Sequence, residues 1–418
     1  MTPRFTILMP TRNRAHYLRG ALDSALAQTH NDYEIVVSDC NSRDDTDTVV
    51  RRVADRRVRL VNPGRDLSMA AHWEFALGHA RGDYVALLCD DDAFRPDLLE
   101  VVDARLSSRN DDIVMWNAHA YWHVDHPESG ERRAARAYPM TGAAFELATE
   151  RLLRHAFGLG STQFLPRMLN SCTRRTVLET ARDAAGGLFW GACPDFSSAV
   201  LQLACARRVV FLDRPLAVWG VGKDSIGRAS GDQSAALHEH LAMTASPLSR
   251  VPCRRANTAL NYIAESYLIA RERAPDRLGA CEIAWETYYR RLRIELQLQR
   301  ARGVDVALAL DELDAAEREH QARTPRAERR AGSATGAGIT RAHDWVLGRV
   351  PAAWHLRMRT GGRRVGEFPG IAEFAAASAR LKPVRLGPLD HYILGFRRRL
   401  LNDLGAEGAR AAAPGTPA

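Results

Sequence analysis

Apolar positions along the first hundred residues switch back and forth between two periods. RFTILMP (residues 4–10), DYEIVVSD (32–39), VRLVNP (58–63) and DYVALLC (83–89) are short runs with the length and composition of strands. The stretches between them follow a helical period: Leu18, Leu22, Ala25 and Leu26 recur within 17–28, and MAAHWEFALGHA occupies 69–80. Val49, Val50 and Val53 follow a polar turn in which Thr46 or Asp45 can cap a helix. Strand and helix in alternation predict βαβ units and a largely parallel sheet.

The same pattern runs on with changed proportions. RPDLLEVVDARL (95–106) predicts a helix with Pro96 in its first turn, DIVMWNAHAYWHV (112–124) a strand, and ARRVVFLDRPLAVWG (206–220) one or two more. From 257 to 322 strand signals vanish and three stretches fit amphipathic helices, suited to closing over a substrate or forming a homodimer interface. Residues 323–340 are small and polar and read as a linker. The expected division is an α/β domain over 1–228, a helical region over 229–322, the linker, and a basic, partly helical tail over 341–418.

Composition narrows the function. Apolar residues make up 46% of the 418 and charged residues 26%, which excludes wholesale disorder. No apolar run approaches the roughly 20 residues that cross a bilayer, and the N-terminus lacks a signal-peptide pattern, so a cytoplasmic protein is expected. Seven scattered cysteines without a CxxC pair predict reduced thiols. The net charge of +8 is concentrated after residue 340, where 13 basic side chains face 6 acidic ones. The main body is therefore nearly neutral, and nucleic acid is not an expected partner. The tail's FRRRLL, with Trp345 and Trp354, would suit peripheral contact with an anionic membrane surface, or form a solvated basic tail.

Three polar groups follow strands: PTRN after the first, SDCNSRDDT after the second, CDDD after the fourth. Ligands of open α/β sheets bind at the carboxyl ends of strands, so these groups would converge on one edge. Asp90, Asp91 and Asp92 repel one another unless a cation is present, and hard oxygen ligands suit Mg²⁺ or Mn²⁺. The competing expectation is an acidic loop favoured by the helix that begins near Pro96. Asp39 would either hydrogen-bond a base or ribose or close an Asx-type turn. His238 and His240, two apart, read as surface residues, and Trp116, Trp122 and Trp190 as cleft or core.

ILMPTRNRAHYLRGALDSALAQTHNDYEIVVSDCNSRDDT, followed by GDYVALLCDDDAFRP, resembles glycosyltransferase family 2, the large inverting group with the GT-A fold, over residues 5–221. The resemblance implies a nucleotide-sugar transferase sheet, with Pro10, Thr11 and Asn13 lining the nucleotide pocket and Arg12 in place of a frequent tyrosine. It implies that Asp39 contacts a uracil-type base, that Asp91 reaches the ribose and that Asp92 binds the metal, with Asp90 the alternative ligand. Cys89 stands where many members carry an aspartate. Arg65 would face the diphosphate, and Asp195, after Pro194 and before an apolar helix, would be the general base.

These implications make an inverting, Mn²⁺- or Mg²⁺-assisted glycosyltransferase, taking a UDP- or dTDP-sugar to a glycan or lipid-linked acceptor at the inner face of the membrane. Two alternatives stay open. A nucleotidyltransferase commonly has a glycine-rich loop after its first strand, where this chain has no glycine until Gly20. A catalytically silent binding protein would use the same fold. Lys223, in the glycine-bearing WGVGKDSIGRAS, could approach phosphate or belong to a plain loop.

Overall fold

A computed structural model describes residues 2–123, 133–222, 235–244, 248–324, 363–381 and 388–405. Lys223, the 325–340 part of the expected linker, Trp345 and Trp354 lie outside them. The first half runs β1 (Phe5–Thr11), α1 (Ala15–Leu26), β2 (Tyr33–Asp39), α2 (Thr46–Arg51), β3 (Val58–Val61), α3 (Met69–Leu77), β4 (Tyr84–Leu87), β5 (Ala93–Phe94) and α4 (Leu98–Arg109). It continues through β6 (Ile113–Trp122), β7 (Ala134–Ala137), β8 (Ala144–Leu147), α5 (Thr149–Phe157), β9 (Ser171–Arg174), α6 (Arg175–Ala185), α7 (Pro194–Cys205) and β10 (Val209–Val221). Then come α8 (Ala235–Ala242), α9 (Ala259–Arg273), α10 (Pro275–Leu278), α11 (Trp285–Ala301), α12 (Ala307–Arg323), β11 (Arg363–Glu367), α13 (Ile371–Ser378) and α14 (Pro388–Leu404).

The expected α/β class with a helical C-terminal region is found. The strands form one open sheet in the order β11-β7-β6-β9-β4-β1-β2-β3, with β10 beside β6. β3, β2, β1 and β4 pair in parallel, so their carboxyl ends share one edge. β9 enters antiparallel between β4 and β6, and β10 runs parallel to β6. The 206–220 stretch is a single strand whose register shifts on either side of Pro215, a residue with no N–H to donate to the ladder.

Period-two alternation sends side chains to two layers. Phe5, Ile7, Met9, Ile35 and Val37 pack beneath α1 and α4 with Leu22 and Leu99. Leu8, Val36, Val85 and Leu87 face the other way, onto α3, α6 and α7. That second core continues into the helical region through Tyr267, Tyr288, Leu292 and Leu313. Burying each such side chain contributes about 1.5–3 kcal/mol.

Local chemistry sets the helix starts. Ser68 Oγ accepts from Ala71 N at α3, and Thr258 Oγ1 from Asn261 N at α9. At α2 neither Thr46 nor Asp45 supplies the cap expected of it: Asp44 Oδ1 takes Thr46 N and Thr46 Oγ1 at 3.1 and 2.5 Å. Pro194 opens α7, where its missing N–H costs nothing.

Part of the 341–418 segment returns to the sheet. β11 pairs antiparallel with β7, and Ile371 and Phe374 of α13 pack on Ala93, Tyr121 and Val218. In α14, Leu400 and Leu401 are buried in the main core, whereas Arg398 and Arg399 are exposed. Among the described residues no helix is long and apolar enough to cross a membrane.

Candidate active site

The acidic turn sits between β4 and β5. Leu88 N still donates to Leu8 O, after which the backbone turns so that Asp92 N donates to Cys89 O. The turn gives the three consecutive carboxylates different sets of partners, with Arg14 shared by the first two. Asp90 accepts from Thr11 Oγ1 at 2.8 Å and from Arg14 Nη1 at 2.6 Å. Asp91 takes Arg14 Nη2 at 3.2 Å, and its main-chain oxygen meets His123 Nε2 at 2.8 Å. Asp92 Oδ1 accepts from Gly220 N at 2.8 Å. The cation that these carboxylates require is thus supplied in part by the protein, from the residue preceding α1.

Burial raises the Asp90 carboxyl to about 7, with Arg14 pulling the other way and Asp91 adding to the rise. Burial and then Asp91 push Asp92 well above the usual carboxylate range. Burial opposes the charge on Arg14, but Asp90 and Asp91 together overcome it and raise its affinity for its proton. Burial likewise lifts the Cys89 thiol, with Asp92 and Asp91 reinforcing it.

β10 fits the turn closely. A β-carbon on Gly220 would lie 1.6 Å from the Asp91 carbonyl oxygen, so glycine alone lets the strand approach. His123 stands between Tyr17 and Tyr121, with ring centroids 4.7 and 5.0 Å away, and Arg14 lies over the Tyr17 ring.

The loops after β1 and β2 are stitched together at the same edge. Pro10 and Thr11 are buried at the end of β1, beside Ser38 and Asp39 of β2. Asn13, in the left-handed region at φ 54°, donates its N–H to Ser42 Oγ and accepts from Arg43 N through Oδ1. Buried Asp39 accepts from Ser42 N at 3.1 Å, an Asx-type contact, and from Asn62 Nδ2 at 3.2 Å. Arg65 is exposed on the loop before α3. Its neighbour Asp66 takes Arg12 Nη2 at 3.3 Å and Asn41 Nδ2 at 2.8 Å.

Asp195 lies in the first turn of α7, its side chain 13% exposed, with Arg167 Nη1 at 3.4 Å from Oδ2. Burial raises its carboxyl and Arg167 opposes the rise. The Arg167 guanidinium rests over Phe196, and its Nε is buried with no hydrogen-bond partner among the described residues. α8 connects the two ends of the site: His240 Nε2 is 2.7 Å from Ala192 O, and Glu239 is 3.6 Å from Arg12.

Some expectations change. His240 is buried, because α8 packs on the loop before Asp195, while His238 remains exposed. Trp116 is fully buried against Phe94 and Trp122 packs with Ala120 and Ala134, so both are core. Trp190 is partly buried under the guanidinium of Arg273, at 4.0 Å from the ring centroid. Sequence reasoning missed Arg14, His123 and Gly220. The unmet charge of the acidic turn, and an arginine directly after PTRN, were the available signal for the first.

Cys89, Asp91 and Asp92 each offer a ligand atom, all within 4.8 Å of one another. Two carboxylates suit Mn²⁺ or Mg²⁺, and the thiol is the softer donor of the three. This donor set fits a divalent ion. Asp90 stands outside the group and is occupied by Thr11 and Arg14.

Residues 6–169 match the model of glycosyl transferase family 2. Over 115 residues the chain is 34% identical to the succinoglycan biosynthesis protein ExoO of Rhizobium meliloti (strain 1021), covering 28% of this chain and 33% of that one. It is 29% identical over 112 residues to WfgD of Escherichia coli, a UDP-Glc:alpha-D-GlcNAc-diphosphoundecaprenol beta-1,3-glucosyltransferase, covering 27% and 44%. Thus the match spans about a third of the length of the curated relatives. The crystal structure of S. aureus TarS 1-349 in complex with UDP-GlcNAc superposes with a TM-score of 0.45 and 14% identity, covering 77% of this chain and 93% of that one. The stretch that matches glycosyltransferase family 2, residues 6–169, is the one that carries the parallel strands and the acidic turn.

Proposed function

We propose that the protein is an inverting glycosyltransferase that moves a sugar from a nucleoside diphosphate to an acceptor hydroxyl. The observation carrying this reading is the group of Cys89, Asp91 and Asp92 at the carboxyl edge of the parallel strands, beside Thr11 and Asp39. In it, Pro10, Thr11, Asn13 and Asp39 hold the base and Asp91 the ribose, while Arg65 on its exposed loop faces the diphosphate. Asp92 and Asp91, with Cys89 as a third donor, would hold Mn²⁺ or Mg²⁺. When bound, that ion supplies positive charge against the departing diphosphate.

Asp195 takes the proton from the acceptor hydroxyl as that oxygen bonds to the anomeric carbon. The bond from that carbon to the diphosphate breaks, and the diphosphate leaves with the electron pair. A base must be ionised yet retain proton affinity. Burial gives Asp195 the affinity, and Arg167 at 3.4 Å favours the charged form. A UDP- or dTDP-sugar is the proposed donor, and WfgD, named for UDP-Glc, supports a uridine nucleotide. That relative's diphosphoundecaprenol acceptor supports a lipid-linked acceptor here, met from the cytoplasmic side of the membrane, toward which exposed Arg398 and Arg399 could turn.

Release of nucleoside diphosphate from a panel of UDP- and dTDP-sugars, with Mn²⁺ and lipid-linked or glycan acceptors, tests the reading. Acceptor-dependent release that Asp195→Asn abolishes is expected. Acceptor-dependent release at the wild-type rate in Asp195→Asn would remove Asp195 from the mechanism, and no release with any pair would contradict transfer.

A further inference from the structure

The acidic turn already contains a cation, and its position bears on how the site takes a second one. Arg14 bridges Asp90 and Asp91 with the two arms of its guanidinium, at 2.6 and 3.2 Å. The two bonds are unequal, and the longer one falls on Asp91, the carboxylate that also belongs to the donor group with Cys89 and Asp92. A guanidinium and a divalent ion drawing on one carboxylate compete for its lone pairs and repel each other. Asp90, outside the donor group and further held by Thr11 Oγ1, keeps Arg14 anchored in either case.

We propose that Arg14 is a built-in counter-ion that offsets part of the turn's negative charge when no metal is bound and yields Asp91 to the divalent ion when one arrives. The inference rests on the metal reading of this turn given above and goes beyond it by making Arg14 an antagonist of the metal. The mostly buried aspartates 90 and 91 need a positive charge in order to fold, and Arg14 provides it without a cofactor. The cost is weaker metal binding, because the ion must first displace a charge-assisted hydrogen bond. Such bonds contribute enough to make the displacement worth about tenfold in affinity.

The experiment is Mn²⁺ titration of wild type, Arg14→Met and Arg14→Lys, by calorimetry and by the paramagnetic resonance of free Mn²⁺, with melting temperatures in EDTA and in Mn²⁺. Arg14→Met is expected to bind Mn²⁺ about tenfold more tightly than wild type. It should melt lower in EDTA and recover more on Mn²⁺ addition. Arg14→Lys, which keeps the charge but loses the fork, should fall between. Wild-type binding with Arg14→Met no tighter, or weaker, overturns the antagonism and leaves the metal site standing. Absence of Mn²⁺ binding in all three proteins overturns the metal reading and this inference with it. Should Arg14→Met fail to fold, the guanidinium proton resonances of wild-type Arg14 followed during Mg²⁺ titration decide: a shift in step with binding supports displacement, and unchanged resonances at saturation contradict it.

Discussion

Gly220 N donates to Asp92 Oδ1 at 2.8 Å, joining the last long strand to the acidic turn across 128 positions of sequence. The approach is so close that a β-carbon at Gly220 would meet the Asp91 carbonyl oxygen at 1.6 Å. The Gly220→Ala variant must therefore move either strand or turn. Loss of stability of about 1–3 kcal/mol is expected, together with weakened Mn²⁺ binding. Urea unfolding and Mn²⁺ titration check it, and an alanine variant matching wild type in both would show that β10 does not shape the turn.

Asp195→Asn should keep its affinity for the nucleotide while transfer falls about 10²- to 10⁴-fold, as expected for loss of a general base. The pair of measurements separates a catalytic role from a structural one, since misfolding would weaken nucleotide binding as well.

Burial raises the Asp195 carboxyl above its ordinary range, and Arg167 opposes the rise by favouring the charged form. In Arg167→Met the carboxyl should rise further. In the proposed mechanism the active form is the carboxylate, so activity is lost as pH falls through its pKa, and the acidic limb of the pH–rate profile should move to higher pH. A limb at the wild-type position would mean that Asp195 is not the group being titrated.

Two buried histidines predict acid sensitivity of the fold. Burial lowers His72 and His119 to about 4, below the 6.5 of an unfolded chain. Both are therefore neutral in the native state. His72 Nε2 lies 2.9 Å from Ser38 Oγ, and His119 Nδ1 accepts from Tyr138 N. Between these values the unfolded state binds more protons, so their contribution is complete above about pH 6.5 and is lost as pH falls toward 4. Each is worth at most about 3 kcal/mol. Chemical denaturation from pH 7.5 to 4.5 should show the decline, and His119→Asn should shallow it.

The sequence showed the site's acidic half and hid its basic half for physical reasons. β1, β2 and β4 are dense in branched and aromatic side chains, and their polar ends stand next to them in the chain. β5, β7, β8 and β9, reading AF, AARA, AFEL and SCTR, carry little pattern of their own. Pairing with β10, β6 and β4 makes them strands. The Asp90–Arg14 pair spans 76 positions and becomes visible only when β1 and β4 lie side by side. His240 read as exposed because its burial depends on Ala192, on a loop distant in sequence.

The 363–381 segment is docked through Phe374, which is fully buried. Phe374→Ala should cost about 3–5 kcal/mol, as large-to-small core changes do. An unchanged unfolding midpoint would mean that this segment does not pack on β10 and Tyr121.

In the proposed reaction Asp92 and its neighbours join a divalent ion to a nucleoside diphosphate. Calorimetric titration of UDP into wild type and Asp92→Asn, each with Mn²⁺ and with EDTA, shows whether they do. Binding that requires Mn²⁺ and disappears in Asp92→Asn is the predicted result. UDP binding equally well in EDTA, or to the Asp92→Asn protein, would contradict it.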